Sequence, residues 1–319
     1  MHQSLTRALC IAALVVLTGC ARSPLLTQQV EHLPERVELR EVPFFPQEAY
    51  QCGPAALATM LNQRGLDTHP DQLKDRVFLP GRQGSLQVEM VATARAHDML
   101  VYPLQPRLEA VLAEVAAGNP VLVLQNLAFD WYPRWHFAVV VGYDLKAGEL
   151  ILRSATQKRL IEPFARFDRT WARGGRWAVL TLPADQLPAQ AELRAWLKAA
   201  HDLEQTGRHQ AARQAYQRAT QAWPGESIGW FALANADYTA GDLPAAEQAL
   251  RRSLQQDAEF AVGWFNLAQL LGERGCAGQA GQALACARRL APQDQRFVAP
   301  FTPAGGAGHC AALPACPLQ

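Results

Sequence analysis

The chain has 319 residues, with 30 Lys and Arg against 29 Asp and Glu, for a net charge of +1. That length sets an expectation of two domains. The near-neutral balance, without any lysine-rich run, excludes the electrostatic footprint of a nucleic-acid-binding protein. No cysteine and histidine cluster has zinc spacing, so neither a metal nor another cofactor is expected.

Residues 1–19 read as an export signal, because Arg7 precedes an apolar stretch from Ala8 to Leu17 that is too short to span a bilayer. The stretch ends in Leu17-Thr18-Gly19-Cys20, which is similar to the lipobox of bacterial lipoproteins. The resemblance implies cleavage before Cys20, acylation of that cysteine and a membrane anchor. Ala21 follows rather than an aspartate, so the implied location is the periplasmic face of the bacterial envelope, at the outer membrane. Residues 20–40 contain Ser23-Pro24 and Leu33-Pro34 without clear periodicity and read as a tether.

From residue 41 to about 185, helical segments alternate with short β-rich runs, the pattern of an α+β unit. Helices are expected over 53–64, closed by Gly65, over 85–97 with Ser85 as N-cap, and over 108–117, ended by Gly118-Asn119-Pro120. Strands are expected over 120–125, 136–143, 149–155 and 177–182. The second strand is apolar along most of its length and is therefore expected at the centre of the sheet.

From about residue 190 to 295 the composition turns to Ala, Gln, Leu and Arg, and a period emerges. Trp196, Trp230 and Trp264 are 34 residues apart, as are Gly207, Gly241 and Gly275, while Ala211-Ala212 recurs as Ala245-Ala246. The pattern resembles three tetratricopeptide repeats, helix pairs that stack because none can bury its apolar face alone. The resemblance implies an all-α solenoid with a concave surface for a peptide or protein partner. Residues 296–319 form an Ala-, Pro- and Gly-rich tail. Of the seven cysteines, Cys276 and Cys286 are expected on one helix, about 15 Å apart and too far for a direct bridge. Any disulfide would draw on Cys310 or Cys316, with the pairing left open.

The chemistry centres on Cys52, at the start of an apolar helical run, and on His136, at the start of the central strand. A thiol at a helix N-terminus is favoured as thiolate by the unpaired N–H groups and the helix dipole. A cysteine enzyme also needs an imidazole and a donor to the oxyanion. Gln47, five residues upstream, supplies a side-chain amide, and Cys52 its own backbone N–H.

Phe44-Phe45-Pro46-Gln47, Gln51-Cys52-Gly53-Pro54-Ala55-Ala56, Gly118-Asn119-Pro120-Val121 and Trp135-His136-Phe137-Ala138-Val139 together resemble the papain-like cysteine peptidases that process bacteriocins after a double glycine. The resemblance implies hydrolysis of a peptide bond through a thioester at Cys52, with His136 as general base and Gln47 at the oxyanion. That family carries an Asp-Pro pair on the strand after the histidine, where this chain has Leu152-Arg153-Ser154-Ala155. If residues 136–143 and 149–155 form a hairpin, His136 faces residues 154–157. Asp144 then lies about 26 Å away along its own strand. Ser154 is taken as the orienting group, with Thr156, Gln157 and Asp168 as alternatives. A neutral orienter has a parallel in the Cys-His-Asn arrangement. The missing carboxylate motivates a second reading, in which a silent papain-like domain and the repeats act as a protein-binding scaffold.

Overall fold

A computed structural model of the chain describes residues 26, 30–46, 51–79, 81, 84–298 and 310–317. The signal expected at 1–19, the lipidation site Cys20 and the oxyanion residue Gln47 lie outside the described residues.

The first half of the chain runs β1 (Arg36–Glu38), α1 (Cys52–Asn62), α2 (Pro70–Val77), α3 (Gln87–Ala96), β2 (Leu100–Pro103), α4 (Leu108–Ala116), β3 (Val121–Asn126), β4 (Trp135–Asp144), β5 (Glu149–Ser154), β6 (Gln157–Pro163), α5 (Phe164–Arg173) and β7 (Ala178–Leu182). The seven strands form one antiparallel sheet, six of them in the order β2-β7-β3-β4-β5-β6 and β1 beside β4 off that path. On one flank of β4, β3 pairs with Trp135 to Val140 and β1 with Gly142 to Asp144. The other flank pairs with β5 only from Val139 onward. The first residues of β4 therefore overhang β5, leaving an open place in the sheet beside His136.

Successive side chains of a strand point to opposite faces. Phe137, Val139 and Val141 pack with α1, α2 and α3, whereas Ala138 and Val140 join α4 and α5 on the opposite face. Because both faces are covered, β4 reads as a continuous apolar run, as the sequence suggested. Trp171 of α5 and Leu57 of α1 are fully buried on the two sides. Each such side chain contributes about 1.5–3 kcal/mol to the fold.

Five elements were not among those expected from the sequence: β1, which takes residues 36–38 of the expected tether into the sheet beside β4, the short strand β2, and α2, β6 and α5. The helix α2 buries only Pro70, Leu73 and Val77, too sparse a pattern to stand out, and is started by a capping box of His69 and Gln72. Strand β6 is an edge whose Gln157, Lys158 and Arg159 are exposed, a charged edge that resists pairing with another chain. The helix α5 packs through Phe164, Phe167, Thr170 and Trp171. One expectation is corrected. Ser85 does not cap α3, which starts after Leu86 without a side-chain cap. Its hydroxyl is instead buried against Gly53, with no hydrogen-bond partner.

The C-terminal region is all helical: α6 (Leu193–Glu204), α7 (His209–Ala222), α8 (Ser227–Thr239), α9 (Leu243–Gln256), α10 (Ala261–Glu273), α11 (Ala277–Leu290) and the short α12 (Gln295–Val298). Three helix pairs repeat the same turn, in which Gly207, Gly241 and Gly275 take φ of +79°, +78° and +76°. That left-handed conformation carries little penalty without a Cβ, which explains the glycine period. The periodic tryptophans are not equivalent. Trp196 and Trp264 are fully buried, while Trp230 is only half-buried. Cys276 directly precedes α11 and Cys286 lies within it; they bridge to Cys310 and Cys316 respectively, so the tail is stapled to the last repeat. Arg251 of α9 also donates to the carbonyl oxygens of Ala311 and Ala312.

The helices join the sheet at its β2 edge. Tyr102 of β2 lies beside Trp196, with ring centroids 6.5 Å apart, and its hydroxyl accepts the Glu192 N–H. The carboxylate of Glu114, buried in α4, accepts the N–H groups of Ala189 and Gln190. Arg95 of α3 pairs with Asp202 of α6 at 3.0 Å. One apolar core runs from the sheet through the repeats.

Candidate active site

Cys52 is the first residue of α1, whose N-cap, Gln51, makes no side-chain hydrogen bond. The backbone N–H groups of Phe137 in β4, Gly53 and Cys52 itself each favour the thiolate form of Cys52. The helix α1 packs against β4, and Cys52 lies against the apolar cluster that holds Phe137, the residue after His136. Gly53 leaves room for Ser85 to pack on the start of α1, because a Cβ there would meet Ser85 Oγ at 2.1 Å. Among the described residues, Cys52 is the cysteine outside a disulfide.

His136 is the second residue of β4, and its Nε2 lies 2.8 Å from Ser154 Oγ. Ser154 is buried at the end of β5 and pairs with Gln157 across a two-residue loop. The first loop residue, Ala155, has φ +50°, which turns the chain away into β6. A shift of register between Val140 and Gly142 sets which β5 residue reaches the histidine. Of the four orienting candidates, Thr156 is exposed in the loop and Gln157 begins the edge strand. Asp168 gives both oxygens to Arg176 at 3.0 Å. Asp144, excluded on distance, caps its own turn by accepting the Ala147 N–H.

Arg153, beside Ser154, was not singled out in the sequence. Its buried guanidinium donates to the carbonyl oxygens of Val42, Arg40 and Lys158, tying β5 to the segment that leads toward Gln47. An arginine inside an otherwise apolar strand run, Leu150-Ile151-Leu152-Arg153, was the sequence signal for it.

The electrostatics run against the expectation that the helix start ionises the thiol. Burial raises the Cys52 pKa, and the three N–H groups offset only part of this. Burial also pushes His136 down to about 4, with Arg134 adding to the shift. The resting pair is therefore a neutral thiol and a neutral imidazole at pH 7. Alkylation of Cys52 by iodoacetamide, followed by peptide mass mapping, is expected to be slower at pH 7 than for a free cysteine. The rate should rise steadily with pH and level off only above the ordinary thiol pKa of about 8.5, with no inflection near 6.5. A fast plateau extending down to pH 5 would show a preformed ion pair instead.

Residues 39–179 match the family model described as the Peptidase_C39 like family, and residues 193–236 match a tetratricopeptide repeat. The chain joins a C39-like peptidase domain to tetratricopeptide repeats. Among solved structures, a C39-like peptidase from Bacillus anthracis is 18% identical, with a TM-score of 0.40, covering 47% of this chain and 98% of that one. A double glycine motif protease from an AMS/PCAT transporter, in complex with the leader peptide, is 20% identical, with a TM-score of 0.34, covering 44% of this chain and 91% of that one. No curated protein matches the chain. Among the described residues of the C39-like domain and the repeats, no cluster of His, Cys, Asp and Glu is arranged to hold a metal ion, and no helix is long and apolar enough to cross a membrane.

Proposed function

We propose that this protein is a cysteine peptidase that cleaves a peptide bond through a thioester at Cys52. The observation that carries the reading is the approach of Ser154 Oγ to His136 Nε2 at 2.8 Å, on the strand against which the Cys52 helix packs. A hydrogen bond at Nε2 leaves Nδ1 as the nitrogen for catalysis. With the proton on Nε2 donated to Ser154 Oγ, Nδ1 is free to accept the thiol proton.

Proton transfer from Cys52 to Nδ1 accompanies attack of sulfur on the carbonyl carbon. The carbonyl electron pair moves to oxygen, which the Cys52 N–H stabilises, with the Gln47 amide as second donor. Collapse breaks the C–N bond while the imidazolium protonates the departing amine. Water, deprotonated by His136, then opens the thioester and restores the thiol. The lipobox-like Cys20 would anchor the enzyme at the outer membrane, facing the periplasm. The repeats would recruit the peptide substrate or a protein partner through their concave face.

Ser154 acts through His136 and is a positioning residue. Ser154→Ala is expected to lower the acylation rate about tenfold to hundredfold, part of the 10²–10⁴ that general-base catalysis supplies. Ser154→Asp places a carboxylate beside Nε2 and should raise the imidazole pKa, moving the acid limb of the kcat/KM profile to higher pH. Profiles that coincide in all three proteins would remove Ser154 from the mechanism.

A specific observation supports the scaffold reading as well: burial holds both members of the pair neutral, and the His136 partner is a hydroxyl rather than a carboxylate. The two readings separate when wild-type protein is incubated with an unbiased peptide library and analysed by intact mass. Cleaved peptides with an acyl adduct on Cys52 support the peptidase. Neither product nor adduct would leave the scaffold.

A further inference from the structure

The connection from β3 to β4 carries a group of side chains that the peptidase chemistry does not use. Five of the nine residues from Leu127 to Trp135 are large hydrophobics exposed to solvent, with Phe129 at 62%, Trp131 at 81% and Tyr132 at 70%. They are held out rigidly. Asn126, almost fully buried, accepts the N–H groups of Ala128 and Arg134 at 3.1 and 2.9 Å and donates to the Phe129 carbonyl. Leu127 N–H donates to the Arg134 carbonyl and Tyr132 N–H to that of Phe129, closing a small hairpin. Arg173 of α5 holds the base by donating to the Asn126 carbonyl at 3.0 Å. Phe129 and Trp131 stack with centroids 5.6 Å apart and planes 11° apart. A pinned hairpin that keeps aromatic rings in water forgoes their burial unless something covers them.

Shape and charge identify the cover. The stacked rings form a ridge, and they line none of the three cavities around Leu66 and His97, Tyr102 and Gln190, and Tyr238 and Gln269. A peptide anchor needs a concave pocket, whereas a ridge is matched by a medium that deforms around it. The segment carries one acidic and one basic residue, Asp130 and Arg134, so net charge selects no partner. Tryptophan and tyrosine, with an apolar body and a polar edge, concentrate at the membrane–water interface. The two disulfides place the chain in an oxidising compartment, where exported proteins meet bilayer surfaces.

We propose that the 127–135 hairpin inserts its aromatic ridge into the headgroup interface of a phospholipid bilayer. Trp135 directly precedes His136, so insertion brings the mouth of the candidate active site to the membrane surface. The inference goes beyond the peptidase reading and is independent of it, since it requires no chemistry at Cys52.

The test uses the full chain with vesicles of phosphatidylcholine, plain or with brominated acyl chains, and reads tryptophan fluorescence. Wild type is expected to be quenched by the brominated lipid, and Trp131→Phe, which keeps an aromatic ring at the tip, to lose most of that quenching, Trp135 at the base of the hairpin supplying the rest. Attachment through the N-terminal segment cannot mimic this loss, because bromine reports on the depth of the ring itself. Equal quenching in the two proteins would overturn the proposal. So would an emission of Trp131 that ignores vesicles and shifts only with an apolar peptide, or only as protein concentration brings two copies together.

Discussion

Cys52→Ala is expected to abolish peptide cleavage and the acyl adduct together, with a loss of about 10⁴-fold or more, the scale seen when a covalent nucleophile is removed. The magnitude follows from the division of labour in the site. Sulfur forms the bond, His136 manages the proton, and the helix-start N–H groups hold the oxyanion. Without sulfur the remaining groups have nothing to activate. The substitution removes one partly buried atom and should leave the melting midpoint within a few degrees of wild type, so lost activity would not reflect unfolding. The measurement is turnover of a cleaved peptide by liquid chromatography, paired with thermal melts of both proteins. A variant that cleaves at the wild-type rate would exclude Cys52 as nucleophile. In the scaffold reading the same variant would instead leave the cellular role intact.

Reduction of the disulfides is expected to produce the largest change in stability. The bridges Cys276–Cys310 and Cys286–Cys316 close segments separated by 34 and 30 residues. Loops of that size restrict the unfolded chain by about 3–4 kcal/mol each. The two loops overlap in sequence, so their contributions will not add in full. The tail 310–317 also loses its fixed place against α9 and α11, where Arg251 and Arg289 meet its carbonyl oxygens. A fall in the melting midpoint of the repeats by about 5–10 °C on adding a phosphine reductant is the expected result. Cys310→Ser with Cys316→Ser should reproduce it, and Cys52→Ala should not. An unchanged midpoint would show that the bridges add nothing to the folded array.

The readings that succeeded share a physical basis, since each rests on a local or periodic signal. The run at 53–58 starts a helix because small apolar residues follow Gly53-Pro54. Residues 137–141 lie at the sheet centre because only a strand covered on both faces can be apolar throughout. The period of 34 survives because every helix pair needs the same left-handed turn. Ser85 failed as a cap because the approach to Gly53 took its side chain elsewhere, a contact between segments that no local pattern encodes. The helix α2 buries only three side chains, so its apolar pattern is weak until its neighbours are present, whereas α5 carries Phe164, Phe167 and Trp171 at helical spacing, a periodic signal that the sequence holds but that was not singled out.

The sequence by itself therefore determined the two architectures, the pairing of Cys52 with His136 as candidates and the range of residues that could orient the imidazole. Only the tertiary structure decided the rest. The register of β4 on β5, shifted between Val140 and Gly142, and the turn at Ala155 brought Ser154 to Nε2. The pairing of four cysteines depended on where the tail crosses α11. The charge state of the site depended on burial, which opposes ionisation of both thiol and imidazole and outweighs the helix start. Register, crossing and burial are properties of segments far apart in the chain, whereas helix starts and periods are written within a few turns of it.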